Sequence, residues 1–228
     1  MMKNPTYPMP IFYSLGLALM GAVAWLVSGI LQTVPTLVGL HWGVLLIPAG
    51  ILFICALIAV PWCKLLSYGL NAVGSGVAVG VLMGVKGILP AATLVYGLLP
   101  ALAIGILCWI VLAAIDHWPG ILTLIFVLLS VALLILGIVI WNRYVPVMGC
   151  AMVFSALFLL PYCIAVNVAM DNPKEQFSYL SISGFGAFVI IFFVVLAVLT
   201  EGDGLEVLFD GLDVSGGGEG IGRRKRNR

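Results

Sequence analysis

A carboxylate, an imidazole and an aromatic ring adjoin in Asp116-His117-Trp118-Pro119-Gly120. An aspartate beside a histidine can orient the imidazole or favour its protonated form, which is the start of proton-transfer chemistry. Neighbours one residue apart on a helix do not face each other, however, and a run closed by Pro-Gly reads more plainly as a polar turn. Asp116 and His117 are therefore a candidate proton or polar site with a structural turn as the plainer reading. The five cysteines, Cys55, Cys63, Cys108, Cys150 and Cys163, contain no Cys-x-x-Cys pair. That pattern argues against a disulfide framework or a zinc site and for small buried apolar side chains. Cys63 differs in having Lys64 beside it, an electropositive neighbour at the edge of an apolar run. His41 and His117 both fall at the ends of apolar runs, which leaves no pair of axial haem ligands at depth. No nucleophile elbow, HExxH pair, Walker loop or paired carboxylates within one segment occurs. No cofactor and no metal is expected, and catalysis is the most distant of the readings.

The residues that remain inside the apolar runs are mild: Ser28, Asn71, Ser75, Thr93, Thr123, Ser130, Ser155 and Asn167. Such groups hold helices together by hydrogen bonds or touch a neutral solute, and they are poor acids and bases. Asn71, Ser75 and Thr93 are the candidate polar path. Proton- and sodium-coupled carriers usually keep ionisable residues at depth, because those groups bind the charge being moved. Residues 1–200 carry only five basic groups (Lys3, Lys64, Lys86, Arg143, Lys174) and three acidic ones (Asp116, Asp171, Glu175), all at the edges of apolar runs.

The most specific pattern is Gly76-x-x-x-Gly80-x-x-x-Gly84, with Gly69 seven residues earlier and so on nearly the same helical face. Four-residue spacing stacks glycines into a flat stripe against which another backbone can approach closely, the usual device where side chains gain nothing by leaving lipid. Gly69, Gly76, Gly80 and Gly84 are the expected helix-packing residues. Contact within the chain is the plainer reading, contact between subunits the second, and a pore lining with Asn71 and Ser75 the third.

The elements that must carry these residues follow from composition. The chain of 228 residues is 63 % hydrophobic and 8 % charged, with a mean hydropathy of +1.25. A soluble domain is about 45–50 % apolar and about 25 % charged, so an ordinary soluble protein is excluded. A hydrocarbon core about 30 Å thick takes roughly 20 helical residues to cross. Seven runs qualify: 11–31, 41–62, 65–85, 89–114, 121–141, 144–168 and 179–200. The expected fold is an all-α polytopic transmembrane bundle of seven spans, or six if the Gly-rich third segment is re-entrant. The proline-spaced segment Asn4 to Pro10 is expected to stay outside the first helix, and that first run to be a true span rather than a cleaved leader. Pro48, Pro100 and Pro161 interrupt runs, as kinks or as the broken helices from which transporters build sites.

Residues 1–10 thus form an extramembrane segment, 11–200 the membrane domain, and 201–228 a polar Gly-rich tail with eleven charges. Leu205 to Gly211 (LEVLFDG) resembles the recognition sequence of picornaviral cysteine proteases, which has Gln where Asp210 stands, so the tail carries little functional weight. Asp210-Gly211 suits a tight hairpin turn. The basic cluster Arg223, Arg224, Lys225, Arg226 and Arg228 places the C-terminus in the cytoplasm by the positive-inside bias, and it can contact anionic lipid. The expected location is a cell or inner membrane, with the bilayer and membrane-protein partners or further copies of the chain around it and no nucleic acid. The leading functional expectation is a non-catalytic subunit of a membrane assembly. The alternative is a channel or facilitator for a small uncharged solute, with an intramembrane enzyme third.

Overall fold

The computed structural model describes residues 9–34, 36, 41–87, 102–103, 106–107, 120–143 and 146–200. Six long helices follow in chain order: α1 (Met9–Thr33), α2 (Trp42–Ala59), α3 (Lys64–Val85), α4 (Gly120–Arg143), α5 (Pro146–Asp171) and α6 (Gln176–Leu199), with a short 3-10 turn at Pro173–Glu175 before the last. Each contains a stretch long and apolar enough to cross a membrane, and no strand occurs among the described residues. The described residues are thus helical apart from short turns, and the chain is a multi-pass membrane protein. The Gly-rich third run forms one continuous helix of 22 residues, about 33 Å at 1.5 Å per residue. The fourth run expected from the sequence, 89–114, lies outside the described residues apart from 102–103 and 106–107.

Local chemistry explains several boundaries. The proline-spaced segment does not all stay outside α1, because Met9 and Pro10 belong to the helix. Proline is tolerated in a first turn, where its missing N–H would have had no partner. His41 caps α2, its Nδ1 accepting from the Gly43 N–H at 3.1 Å, so this histidine has a structural role. α3 stops at Lys86 and Gly87, whose φ of +65° suits glycine and places its N–H on the Gly84 carbonyl at 3.2 Å. Pro48 and Pro161 lie inside α2 and α5 without interrupting either helix.

α3 is the hub, touching α1, α2 and α6, while α5 joins α6 to α4. Of their apolar stretches, 83 % of α5 and 67 % of α3 is buried, against 22 % each for α2 and α4, which leaves the latter two on the outside of the bundle. Ile47, Ile51, Ile54 and Ile58 on α2 and Leu124, Leu128 and Ile135 on α4 point outward, at no cost in a hydrocarbon solvent. α3 is central although it is the least apolar of the six, because its glycines and hydroxyls gain little from lipid and let other backbones come close.

Side-chain pairings fix the directions. Successive α3 glycines meet successive α1 residues, so α1 and α3 are parallel, and α2, which a short turn joins to α3, packs antiparallel to it. Thr123 bonds to Asn167 and Gly137 lies against Val153, so α4 and α5 are antiparallel. Lys64 at the start of α3 pairs with Glu175 at the start of α6. The starts of α1, α3, α4 and α6 therefore share one end of the bundle, the Lys64 end, and α3 finishes at the opposite, Lys86 end.

Candidate functional site

The glycine stripe is occupied by the chain's own first helix. A Cβ at Gly76 would stand 2.6 Å from the Met20 carbonyl oxygen, one at Gly80 2.7 Å from Val27 Cβ and 2.8 Å from the Ala24 carbonyl oxygen, and one at Gly84 2.7 Å from Leu31 Cδ1. Any side chain there would push α1 away. Gly69 does not join this stripe: nothing lies within 4 Å of the position its Cβ would take. The reason is next to it, since the Tyr68 ring and hydroxyl cover Gly16 of α1, and the two backbones meet closely only beyond that ring.

A different face of α3 carries the polar groups. Ser67, Asn71 and Ser75 follow at four-residue steps and share one side of the helix, and all three are fully buried. Ser181 of α6 donates from Oγ to Ser67 Oγ at 3.0 Å, and Asn71 Nδ2 donates to the Ser67 carbonyl at 3.0 Å. Asn71 Oδ1, Ser75 Oγ and the Tyr68 hydroxyl, in contrast, are buried with no hydrogen-bond partner. Leaving such a group unmade costs about 1–3 kcal/mol, so three within two turns of one helix call for an explanation. Small residues let the helices close around them: a Cβ at Gly184 of α6 would stand 2.8 Å from the Tyr68 ring and 3.5 Å from the Asn71 Cβ. From α1 and α5, Tyr13 stacks on Tyr162 at a ring separation of 4.2 Å, and Phe158 approaches both Tyr13 and Tyr68 at about 6 Å.

The polar face has a beginning and an end. Ser75 lies eleven residues into α3, about 16 Å from the Lys64 end and close to mid-bundle. Continuing along the same side come Ala78 and Leu82, buried and apolar. At the outer end, Lys64 Nζ is 2.9 Å from Glu175 Oε2, with both side chains partly exposed. The hydrogen bond and charge of Lys64 hold the Glu175 carboxyl below its ordinary pKa. Beside the pair an open depression of about 360 Å³ is lined by Trp62, Cys63, Lys64 and Phe177 among others. Trp62, 86 % exposed, suits a membrane–water interface, where an indole can be wet on one side.

Chemically, the unpartnered groups on this face are neutral hydrogen-bonding ones, an amide oxygen and two hydroxyls. No ionisable side chain other than phenols faces it among the described residues, and no group of three potential metal ligands occurs there. Of the residues singled out from the sequence, Asn71 and Ser75 fall on the seam together, whereas Thr93, Asp116 and His117 lie outside the described residues, as does the basic cluster Arg223 to Arg228. Cys150 and Cys163 are buried, Cys163 with its sulfur 3.8 Å from Ser130 Oγ, while Cys55 and Cys63 are exposed. Sequence reasoning missed Ser67, Ser181 and Tyr68. Ser67 was within reach, standing four residues before Asn71, but its partner on α6 carries no sequence signal. Comparison with known proteins finds nothing similar to this chain among family models, curated proteins or solved structures.

Proposed function

We propose that this multi-pass membrane protein is a facilitator for a small uncharged solute, with Asn71 and Ser75 as its contact groups. The observation that carries this is the pair of buried, unpartnered oxygens at mid-bundle on the hub helix, which a bound molecule would satisfy. The assembly reading drew its support from the glycine stripe, and that stripe is covered by α1 of the same chain. The test is flux in liposomes, followed by light scattering after a jump in water, urea, acetamide or glycerol. Wild-type protein passes at least one of these faster than empty liposomes, Asn71→Ala loses that increment, and Gly69→Ala keeps it. Flux equal to that of empty liposomes for the whole panel refutes the reading.

A second reading, a subunit of a larger membrane assembly, is favoured by α4. Its close packing among the described helices is against α5, and most of its surface is left to lipid or to another protein. Native mass measurement in mild detergent with identification of every co-purifying chain tests it, and a lone protomer or pure homo-oligomer refutes it.

The same reading includes a seventh crossing. It is assigned to the run 89–114 expected from the sequence, and what supports it is that α3 ends at the Lys86 end whereas α4 begins at the Lys64 end. In support, Ile106 borders a groove with Pro10, Ile11, Ser14 and Leu15, near the Lys64 end of α1. With seven spans and the Arg223 to Arg228 cluster in the cytoplasm against anionic lipid, the Lys64 end faces the opposite compartment. Protease digestion of the tail in sealed vesicles of known orientation tests that assignment.

A further inference from the structure

We infer that the outer face of α1 is the seat of the 89–114 crossing, which lies antiparallel to α1 with Gly105, Ala101 and Gly97 against Ser14, Ala18 and Ala22. This rests on the seven-span reading and gives its seventh helix a place and a register.

The face is vacant and shaped for a backbone. α1 turns Met20, Ala24, Val27 and Leu31 toward the α3 glycines. At 3.6 residues per turn, Ser14, Ala18 and Ala22 follow one another along the opposite side. Ala18 and Ala22 are exposed, and a Cβ at Gly29, further along the same side, would meet nothing within 4 Å. The outer faces of α2 and α4 are unlike this one, since they present large aliphatic side chains such as Ile47, Ile51, Leu124 and Leu128. Those side chains fill the space between lipid tails, whereas small residues four apart leave backbone bare and admit a second helix closely.

The occupant is identified by one turn of the segment itself. Leu102, Ala103, Ile106 and Leu107 are helical, and Leu102 packs against the core. Ile106 borders the groove that Pro10, Ile11, Ser14 and Leu15 form near the Lys64 end of α1. Ala103 and Leu107 are exposed, so the side of this turn that faces inward is the one on which Gly105 falls. Gly97, Ala101 and Gly105 repeat the four-residue spacing of Ser14, Ala18 and Ala22.

Direction then sets the register. On the seven-span reading the segment passes from α3 at the Lys86 end to α4 at the Lys64 end, against the course of α1. With Ile106 over residues 10–15, each step back along the segment is a step forward along α1. Gly105 comes to Ser14, Ala101 to Ala18 and Gly97 to Ala22, small residue on small residue at every step. A second copy of the chain could take this face only by displacing Ile106.

The test is disulfide trapping in proteoliposomes. Ala18→Cys combined with Ala101→Cys is oxidised with copper phenanthroline and digested without reduction, and linked peptides are identified by mass spectrometry. A disulfide needs Cα atoms about 5.5–6 Å apart, which two helices offer only where they touch closely. The pair links within one chain, whereas Ala18→Cys combined with the outward Ala103→Cys does not. Ile11→Cys, a single change at an exposed position, links to the native Cys108 one rung further out. Linkage of position 18 to 103 in place of 101 overturns the face assigned to the segment. A covalent dimer from Ala18→Cys alone shows a second copy on this face and overturns the proposal. Lys86→Cys and His117→Cys, labelled with an impermeant maleimide from each side of the vesicle, test the crossing separately. Labelling from opposite sides with neither the 18–101 nor the 11–108 link overturns the seat on α1 and leaves the seventh crossing standing. Labelling of both from one side overturns the crossing and the seat together.

Discussion

Adding one methyl group at Gly80 tests the close approach of α1 and α3 most directly. The new Cβ would stand 2.7 Å from Val27 Cβ and 2.8 Å from the Ala24 carbonyl oxygen, where ordinary van der Waals contact needs 3.4 Å or more. One of the two obstacles is backbone, so no rotamer change relieves it, and α1 has to retreat by roughly half an ångström or more over the stripe. Overpacking of this kind costs about 1–3 kcal/mol. Alanine is the better helix former by up to about 1 kcal/mol, which works in the opposite direction. The net expectation for Gly80→Ala is a destabilisation on the order of 1–2 kcal/mol, or a melting temperature lower by about 2–8 °C for a chain of this size. Gly80→Leu, with three more carbons to place against the Ala24 backbone, should not give a monodisperse protein at all. Gly69→Ala is the control: its Cβ meets nothing within 4 Å, so the propensity gain stands alone and stability is unchanged or slightly raised. The assay is fluorescence-detected size exclusion after heating in a mild detergent. Gly80→Ala melting at or above wild type would refute the close-packing argument, and a large loss for Gly69→Ala would refute the assigned face.

Asn71→Ala removes an unpartnered carbonyl that costs about 1–3 kcal/mol, which offsets the packing it loses, so it should melt close to wild type while losing solute flux; a fall of the size expected for Gly80→Ala would show that Asn71 is satisfied and structural. The hydrogen bond from Thr123 Oγ1 to Asn167 Oδ1 at 2.9 Å ties α4 to α5, and a Thr123→Val, Asn167→Leu double-mutant cycle should give a coupling of about 0.6 kcal/mol, the usual size between membrane helices; zero coupling would remove it from the account. The Lys64–Glu175 pair should respond to pH in one direction. Because Lys64 lowers the Glu175 pKa, the pair's contribution is fully present above the ordinary glutamate range and is lost as pH falls through the depressed value. Wild type should therefore lose thermal stability relative to Glu175→Gln only in that acid window, by a small amount given the exposure of both side chains, and a difference that grows toward alkaline pH would contradict the sign.

The solvent of this protein is written in its sequence. Eight charges in 200 residues, spaced by apolar runs of about 20, leave little besides membrane helices, and all six long helices coincide with such runs to within a few residues at each end. Only for α3 did the sequence leave open a re-entrant course, because glycine lowers its hydropathy. It is helical throughout because the same glycines let α1 cover it, so its burial comes from protein rather than lipid. Periodicity along one helix determined which residues share a side: Gly76, Gly80 and Gly84 on one, Asn71 and Ser75 on another.

Which partner each side meets was decided only by the tertiary structure. In hydrocarbon no hydrophobic force selects a neighbour, so helix pairing rests on surface shape and on a few polar contacts between residues far apart in sequence. The bond of Ser67 to Ser181 and the pair of Lys64 with Glu175, the latter 111 positions apart, are of this kind. Gly69 shows the same limit from the other side. Its spacing put it with the stripe, but the bulk of Tyr68 over Gly16 governs how near α1 comes there, and no pattern of period along a single helix contains the size of a ring wedged against its neighbour.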